Sequence, residues 1–299
     1  MLKKRALRRI IISTLALFVL LLIYVFPKSD ELDIPNEIIF TNEITIPIYT
    51  VDQNNLVART NIIKKENDDI TYIINVLTKK SNYSNYLMTN FLPIIPENTK
   101  LINYSLNDKV LKLNFSKELL NVNENDEEKM IESLVYSLCN LKDVDKIIIF
   151  VENQKLNELP HSKKKLPASL DKNYGINKVY DINTFKSVTK ATIYFMSKYE
   201  NNYYYVPITK ITNDSQNAVE IIINELKSTP TYENNLISFL NASYTLKNYE
   251  LLENEINLSF DNNMLLSLKN NDLLEKVKYS IELSLKDTFN IENVVINFN

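Results

Sequence analysis

The sequence predicts an α+β protein made of two tandem ββαββαβ modules that follow an N-terminal transmembrane helix. In each module, two helices are expected to pack on one face of a small mixed sheet. The first observation behind this prediction is an internal repeat, because residues 46–152 recur element by element as residues 193–298. The second is hydrophobic periodicity, which changes along each copy between about 3.6 residues and two residues.

The chain of 299 residues leaves enough length for one hydrophobic core in each copy. The connection between the copies carries Leu166, Leu170, Ile176 and Val179, so it is interpreted as an ordered connection or an extra strand. The predicted organisation is a cytoplasmic basic tail (1–9), a transmembrane anchor (10–26), a linker (27–43), a first domain (44–153), an inter-domain connection (154–189) and a second domain (190–299).

The N-terminus has the pattern of a membrane anchor. Residues 1–9 carry five basic side chains, and residues 10–26 are uncharged and mostly apolar. At about 1.5 Å per residue, this run is at the short end of a membrane span. The positive-inside rule predicts a cytoplasmic tail and extracytoplasmic C-terminal domains. A cleaved signal peptide is the alternative, but residues 23–27 offer no small residues for cleavage, which favours an uncleaved anchor.

Each copy is predicted to begin with a β-hairpin and a helix. The hairpin strands are 44–51 and 56–62 in the first copy, and 191–196 and 203–211 in the second. The helical stripe of the first copy recurs 149 positions later: Ile70, Ile73, Ile74 and Leu77 return as Val219, Ile222, Ile223 and Leu226. Short polar residues that favour helix starts precede each stripe: Asp68 and Asp69, then Asn213, Asp214 and Ser215.

A second hairpin, a second helix and a last strand complete each copy. The strands 100–106 and 109–116 surround a turn at Asn107-Asp108, and the alternation of Leu111, Leu113 and Phe115 indicates one covered face. A helix is predicted over 126–140. Its apolar residues recur in the second copy, as do those of the last strand: Met130, Leu134, Leu138, Val144, Ile147 and Ile149 match Val277, Ile281, Leu285, Ile291, Val294 and Ile296.

Scarce residue types exclude several classes of site. Gly175 is the only glycine, which rules out glycine-rich phosphate loops and the nucleophile elbow of hydrolases. His161 is the only histidine, so two histidines of one chain cannot share a zinc ion. Cys139 is the only cysteine, so no disulfide forms within the chain. A net charge of −3 offers no broad basic face for nucleic acid.

The remaining candidates favour structural interpretations. His161 is expected to be a solvated loop residue, and Cys139 a partly buried, inert thiol. The acidic residues at 123–128 are expected to complement a helix N-terminus, and the lysines at 163–165 to be solvated. Tyr203, Tyr204 and Tyr205 are expected to pack on alternate faces of a strand. The sequence therefore predicts no catalytic, cofactor-binding or metal-binding residue, and no cofactor.

Several segments resemble the GerMN domain of the GerM family of sporulation and spore-germination proteins. The segment 205–210, followed by 218–230, resembles the opening of the domain. Residues 92–101 and 110–119 resemble its middle, and 134–138 with 144–151 resemble its end. The resemblance implies an extracytoplasmic, non-catalytic domain similar to the ring-building modules of sporulation channel proteins, and it supplies no catalytic residues.

The expected function is a membrane-anchored scaffold, not an enzyme. Its partners would be the membrane, through the N-terminal helix, and other envelope proteins or further copies of the chain. The processes that the resemblance implies are sporulation, germination or another function of the bacterial cell envelope. The alternative is a ligand-sensing or cell-wall-binding ectodomain, for which peptidoglycan is the expected partner. A hydrolase with an unrecognised pair of carboxylates ranks last.

Overall fold

A computed structural model describes residues 14–15, 17–18, 44–184, 186–228, 235–240, 242–261 and 271–298. Residues 14, 15, 17 and 18 are helical. The rest of the predicted anchor at 10–26, the tail at 1–9 and the linker at 27–43 lie outside the described residues. Within the part of the chain that is described, no helix combines the length and apolar character that crossing a membrane requires. Residues 43–299 form one compact unit.

The two copies follow the predicted order of elements, with one short strand added. The first copy contains β1 (Thr45–Asp52), β2 (Val57–Ile63), α1 (Asp69–Leu77), β3 (Phe91–Leu92), β4 (Leu101–Asn107), β5 (Val110–Phe115), α2 (Glu127–Leu138) and β6 (Lys146–Val151). The connection contributes β7 (Gln154–Lys155) and β8 (Val179–Asp181). The second copy contains β9 (Thr189–Tyr199), β10 (Asn202–Thr212), α3 (Ala218–Lys227), β11 (Leu246–Leu251), β12 (Glu255–Phe260), α4 (Asn271–Phe289) and β13 (Asn293–Phe298).

The strands form three sheets, which corrects the expectation of one mixed sheet in each module. The first hairpins of both copies share a six-stranded sheet of order β3-β1-β2-β10-β8, with β9 also paired to β10. The other sheets are β4-β5-β6-β7 in the first copy and β11-β12-β13 in the second. In each, the outer hairpin is antiparallel and the last strand of the copy is parallel to its neighbour.

The first hairpin of each copy is buried on both faces, which explains why it forms a sheet separate from the last three strands of its own copy. Residues 48–52 of β1 and residues 191–197 of β9 are buried without alternation. Helix α2 contacts both β1 and β6, and α4 likewise contacts both β9 and β13. The second helix of each copy therefore lies between a hairpin and a three-stranded sheet. A helix in that position must be buried on more than one side, and residues 130–138 of α2 are all buried.

Local signals account for the helix starts and the turns. The Asp68 side chain accepts a hydrogen bond from the backbone N–H of Thr71 at 3.2 Å, as its position predicts. In the second copy the cap is Asn217, which accepts from the N–H of Glu220 at 3.1 Å, and not one of the polar residues at 213–215. The turn of the second hairpin places Asp108 and Lys109 at φ values of 49° and 61°, a primed turn without glycine.

The two hydrophobic cores exchange side chains. Tyr194 of the second copy packs into the core of the first, which otherwise holds residues of 46–176. Ala58 and Phe91 of the first copy pack into the core of the second. The Phe91 ring lies edge-on to Tyr204 with ring centroids 5.2 Å apart. Each core is therefore completed by the other copy.

Candidate functional site

The contact between the two copies, which we call the inter-repeat interface, holds a group of buried polar side chains. At its centre, the hydroxyl oxygens of Tyr49 on β1 and Tyr194 on β9 are 2.8 Å apart. The tyrosines occupy the same position in their respective copies, and both are almost completely buried. Burial raises the pKa of each hydroxyl, and the nearby carboxylate of Asp287 raises it further. Both phenols are therefore neutral, and neither is an activated nucleophile.

A serine of the adjacent helix anchors each tyrosine in the same way. The backbone N–H of Tyr49 donates to Ser137 Oγ on α2 at 2.8 Å. The backbone N–H of Tyr194 donates to Ser284 Oγ on α4, also at 2.8 Å. Both serines are buried, and each lies at the corresponding position of its helix. A serine, being small, lets the strand approach the helix closely while it satisfies a buried backbone donor.

Lys172, which lies in the connection, balances the negative charge of Asp287 at one end of the inter-repeat interface. Its Nζ lies 2.6 Å from Asp287 Oδ1 on α4 and 2.9 Å from Asn140 Oδ1 just after α2. The other carboxylate oxygen of Asp287 accepts a hydrogen bond from the Tyr194 hydroxyl. Burial by itself lowers the pKa of Lys172, but Asp287 and Tyr49 outweigh it, so the pKa is raised and the lysine is charged. Asn140 and Asp287 are equivalent positions, and one lysine joins them.

The opposite end of the interface is held by a second charged group, the Glu132 cluster (Glu128, Glu132, Lys164, Asn177 and Lys178). Lys178 Nζ lies 2.6 Å from carboxylate oxygens of both Glu128 and Glu132 on α2. Lys164 forms a further 2.6 Å ion pair with Glu128. Burial opposes the charge of Lys178, but the two carboxylates raise its pKa above the ordinary value.

Asn177 joins the first hairpins of the two copies. Its amide nitrogen donates to the carbonyl of Val57 on β2 at 2.7 Å and to that of Pro207 on β10 at 2.8 Å. Its side-chain oxygen accepts from the N–H of Val57 at 2.9 Å. The strands themselves pair at Tyr205 and Arg59. The Arg59 guanidinium lies over the Tyr279 ring, 5.5 Å from its centroid.

A cavity of about 390 Å³ opens beside the Glu132 cluster, lined in part by Asn55, Lys129, Tyr180 and Ile208. Glu128, Glu132, Lys164 and Lys178 in its lining are already paired with one another. Lys129 Nζ donates to Asn55 Oδ1 at 2.7 Å, which further occupies the lining. No group of three or more potential metal ligands occurs among the residues that the structure describes. The arrangement is suited to fixing the orientation of the two copies.

His161 and Cys139, the two single-copy candidates, lie apart from each other. His161 is exposed, and its backbone N–H donates to Glu127 Oε1 at 2.6 Å. Cys139 is partly buried, as predicted, and burial raises the pKa of its thiol to about 12. A thiol with that pKa is protonated and unreactive at neutral pH.

The charged stretches have more specific contacts than the sequence indicated. Glu127, expected only to complement a helix N-terminus, accepts hydrogen bonds from the backbone of residues 161 and 162. Lys164 and Lys165, expected to be solvated, pair with Glu128 and Glu158 at 2.6 Å. The contacts of Glu127 and Glu128 tie the connection to α2, whereas the Lys165–Glu158 pair lies within the connection.

The three successive tyrosines pack on alternate faces, as predicted. Tyr204 is buried and donates to Asp52 Oδ2 at 2.8 Å, and burial raises its pKa to about 12. Tyr203 and Tyr205 pack against Phe239 and Tyr279.

Sequence reasoning missed the residues of the inter-repeat interface. A signal for part of it existed, because Ser133 and Ser137 recur as Ser280 and Ser284, each pair four residues apart in the second helix of its copy. The recurrence of Tyr49 as Tyr194 was a second such signal. Nothing comparable indicated Lys172 or Asn177, since the connection is not duplicated.

Comparisons with known proteins agree with this architecture. The profile of the family described as "Germane: Sporulation and spore germination" matches residues 43–157. The chain is 24% identical over 258 residues to the spore germination protein GerM of Bacillus subtilis (strain 168), a match that covers 84% of this chain and 70% of that protein.

A solved structure shows the same fold. The tandem GerMN domains of the sporulation protein GerM from Bacillus subtilis match with a TM-score of 0.76 at 22% identity, over 86% of this chain and 91% of that one. The match extends across both copies and the connection between them. The repeated order of elements, the family profile over residues 43–157 and these two similarities lead to one conclusion: this chain has the fold of two GerMN domains in tandem, and its first copy matches the family profile.

Proposed function

We propose that this protein is a non-catalytic scaffold that residues 10–26 anchor in a bacterial membrane. Its two GerMN domains would bind other envelope proteins or further copies of the chain outside the cytoplasm, in sporulation, germination or another cell-envelope process. The observation that carries this proposal is how the chain uses its buried polar groups. Tyr49, Tyr194, Lys172 and Asp287 bond to one another across the two domains.

The contacts of the connection support the same proposal. Asn177 bonds to strands of both domains, and Lys172 bonds to residues next to α2 and within α4. Two domains fixed in this way present their outer surfaces at a constant spacing and orientation. Constant geometry favours repeated protein–protein contacts, whereas a sensor that closes on a ligand needs a hinge. The basic and apolar pattern of the N-terminus supports the membrane anchor.

The proposal is tested with the full chain purified in a mild detergent. We expect sedimentation velocity to show association that increases with protein concentration. The Asp287→Asn variant removes a buried charge at the inter-repeat interface and should weaken association if a fixed arrangement of the domains is needed. Asp108→Asn, in the turn between β4 and β5, is the matched control. A single monomeric species at every concentration, with no crosslinked protein partner in intact cells, would contradict the proposal.

Two further measurements address membrane location and the cell-wall alternative. Protease added to intact cells should digest the GerMN domains only if they lie outside the cytoplasm. Sedimentation with purified peptidoglycan tests the alternative, which gains support if the chain is pelleted by peptidoglycan but does not self-associate.

A further inference from the structure

Two sheet edges of the chain lack the usual protection against strand pairing. Strand β4 is the outer strand of its sheet, and so is β13. Among the residues that the structure describes, neither has a second strand beside it. Neither strand contains a charged residue: their sequences are LINYSLN and NVVINF. Natural edge strands commonly carry lysine or another charge, because an uncharged edge pairs readily with another chain.

Both edges also leave apolar side chains of the core face incompletely covered. On β4, Ile102, Tyr104 and Leu106 are 48%, 39% and 38% exposed. Tyr104 and Leu106 lie opposite the buried Leu113 and Leu111 and so belong to the core face, whereas Ile102 lies at an irregularity in the register with β5. On β13, Val294, Ile296 and Phe298 are half-buried and lie opposite buried residues of β12. Each edge therefore presents partly exposed apolar residues next to backbone groups that no described strand pairs with.

The internal repeat shows what a covered edge looks like. Strand β6 is the counterpart of β13, and β7 pairs with its outer edge at Phe150 and Val151. Leu170 adds a bridge to Ile147, with hydrogen bonds of 2.8 and 2.9 Å. With this cover, Ile147 and Ile149 are 0% and 2% exposed, whereas their counterparts Val294 and Ile296 are only half-buried. Among the described residues, β13 lacks the cover that β7 and Leu170 give β6.

The counterpart of β4 is protected in another way. Strand β11 carries Lys247 and Glu250, which are exposed along its length. Each domain thus has one protected and one unprotected edge, and the unprotected edges lie at opposite ends of the repeated sheet. The unprotected edge at β13 is therefore available to pair with an unprotected edge at β4.

We propose that β13 of one copy of this chain pairs with β4 of a second copy, a surface that specifies the self-assembly in the proposed function and rests on it. The chain already joins its own domains at sheet edges, because β2 pairs with β10 at Arg59 and Tyr205. Since neither strand is charged, no like-charge repulsion opposes the contact. The apolar rows of both strands become buried when the sheets join.

The geometry of the repeat fixes the direction of pairing. Strand β4 is antiparallel to β5 and β6, and β13 is parallel to β12, the counterpart of β5. If the core faces of both sheets lie on the same side, β13 and β4 of the second copy must run antiparallel. The register that sets Val294 opposite Leu106 also sets Ile296 opposite Tyr104. On the other face, Val295 then lies opposite Ser105.

The contact is heterologous, since the two copies use different surfaces. Each copy keeps a free β4 at one end and a free β13 at the other. Association of this kind continues from copy to copy, to a closed ring or an open filament. A symmetric dimer formed by two β13 strands would bury the β13 edge of both copies, so no further copy could add at that edge.

Cysteine crosslinking in the membrane tests both the contact and its register. Cys139 gives little background, because its buried thiol has a pKa of about 12. Full-length chains with Ser105→Cys and with Val295→Cys, each carrying a different tag, are produced in the same cells. Cross-strand neighbours are close enough for a disulfide. We expect a disulfide-linked dimer that contains both tags, and several-fold less when Asn107→Cys, two residues out of register, replaces Ser105→Cys.

Lysine substitutions separate this contact from other modes of association. Val295→Lys should abolish self-association of the full chain in sedimentation velocity. Leu251→Lys, on the edge already protected by charge, is the matched control and should leave self-association unchanged. Circular dichroism and thermal unfolding establish that both variants are folded.

Three outcomes overturn the pairing. Dimers that carry a single tag show that like edges meet. Association that persists in Val295→Lys, without the mixed disulfide, leaves the scaffold proposal intact and removes this surface. If the full chain is monomeric and forms no disulfide, the proposed pairing of β13 with β4 is wrong. If crosslinking nevertheless recovers another protein partner, the scaffold proposal survives.

Discussion

The hydroxyl groups of Tyr49 and Tyr194 meet at 2.8 Å, although 145 positions separate them in the chain. Each tyrosine holds the same place in its GerMN domain, and a serine of the second helix binds each backbone N–H. The contact is therefore one between equivalent surfaces of the two domains. The surroundings of the two tyrosines differ, because Asp287 accepts a hydrogen bond from the Tyr194 hydroxyl. Its counterpart in the first copy, Asn140, accepts a hydrogen bond from Lys172 instead.

Removing the two hydroxyls should have unequal effects. Tyr49→Phe deletes one hydrogen bond between neutral groups, and we expect a loss of about 1 kcal/mol in the free energy of unfolding. Tyr194→Phe also deletes a bond to a carboxylate, and should cost about 2 kcal/mol. Urea unfolding measures both. Tyr180→Phe, on a side chain that is 58% exposed, is the control. Equal losses for the two variants would show that the Asp287 bond adds nothing.

The ion pair between Lys172 and Asp287 should be costly to break. Their side chains are 18% and 5% exposed, so removing one partner leaves the other buried without its counter-charge. We expect Lys172→Met and Asp287→Asn each to destabilise the protein by about 3–5 kcal/mol. The exposed pair Lys80–Glu97 is the matched control. Lys80→Met should change stability by about 0–1 kcal/mol. A loss of similar size in both pairs would contradict burial as the cause.

The serines should contribute equally in the two domains. Ser137→Ala and Ser284→Ala each leave a buried backbone N–H without its side-chain acceptor, which costs about 1–3 kcal/mol. Because the two bonds have the same length, we expect losses that agree within experimental error in urea unfolding. Ser215→Ala, on an exposed residue before α3, is the control. A clear difference between the two serines would show that the domains are not equivalent at this contact.

Gly175 should not tolerate a side chain. Its φ of 82° and ψ of 166° lie in a region that is essentially restricted to glycine. A Cβ there would also lie 3.2 Å from Thr209 Cγ2. We expect Gly175→Ala to cost about 1–3 kcal/mol in the free energy of unfolding. Adding Thr209→Ser removes the methyl group. Most of the loss should persist if the backbone is the cause, and recovery of most of it would identify steric contact instead.

Stability should decline at alkaline pH. The folded-state pKa values of Tyr194 and Lys172 are raised above their ordinary values of 10.0 and 10.5. A group whose pKa is raised in the folded state contributes its full stabilisation at pH values below its pKa in the unfolded state. That stabilisation is lost as the pH rises through the pKa of the folded state. We therefore expect the free energy of unfolding to fall above a pH of about 10. Urea unfolding at several pH values should show a shallower decline for Tyr194→Phe, and an unchanged slope would contradict this assignment.

Much of the fold follows from local patterns. The stripe from Ile70 to Leu77 and its repeat predict two helices, and the alternation of Leu111, Leu113 and Phe115 predicts a strand with one covered face. These patterns are local because a helix or strand repeats its orientation every few residues. The capping residue Asp68 was predictable for the same reason. The cap of the second copy was misplaced because four polar residues with similar capping preference occur between 213 and 217.

The partners of the strands were not predictable in this way. The buried runs in β1 and β9 indicate cover on both faces, but they do not identify what lies there. Pairing of β2 with β10 joins residues more than a hundred positions apart, and neither strand's periodicity carries that information. The single mixed sheet expected for each module was therefore replaced by a sheet shared between domains.

By itself, the sequence determined that the chain is duplicated, which elements each copy contains, and which sites a chain with one glycine, one histidine and one cysteine cannot build. Only the tertiary structure decided that the copies exchange core residues and that Lys172 meets Asp287 across 115 positions. It also showed that no strand among the described residues covers the outer edges of β4 and β13. The physical reason is that periodicity records whether a side chain is buried, whereas the neighbour that buries it is set by long-range packing.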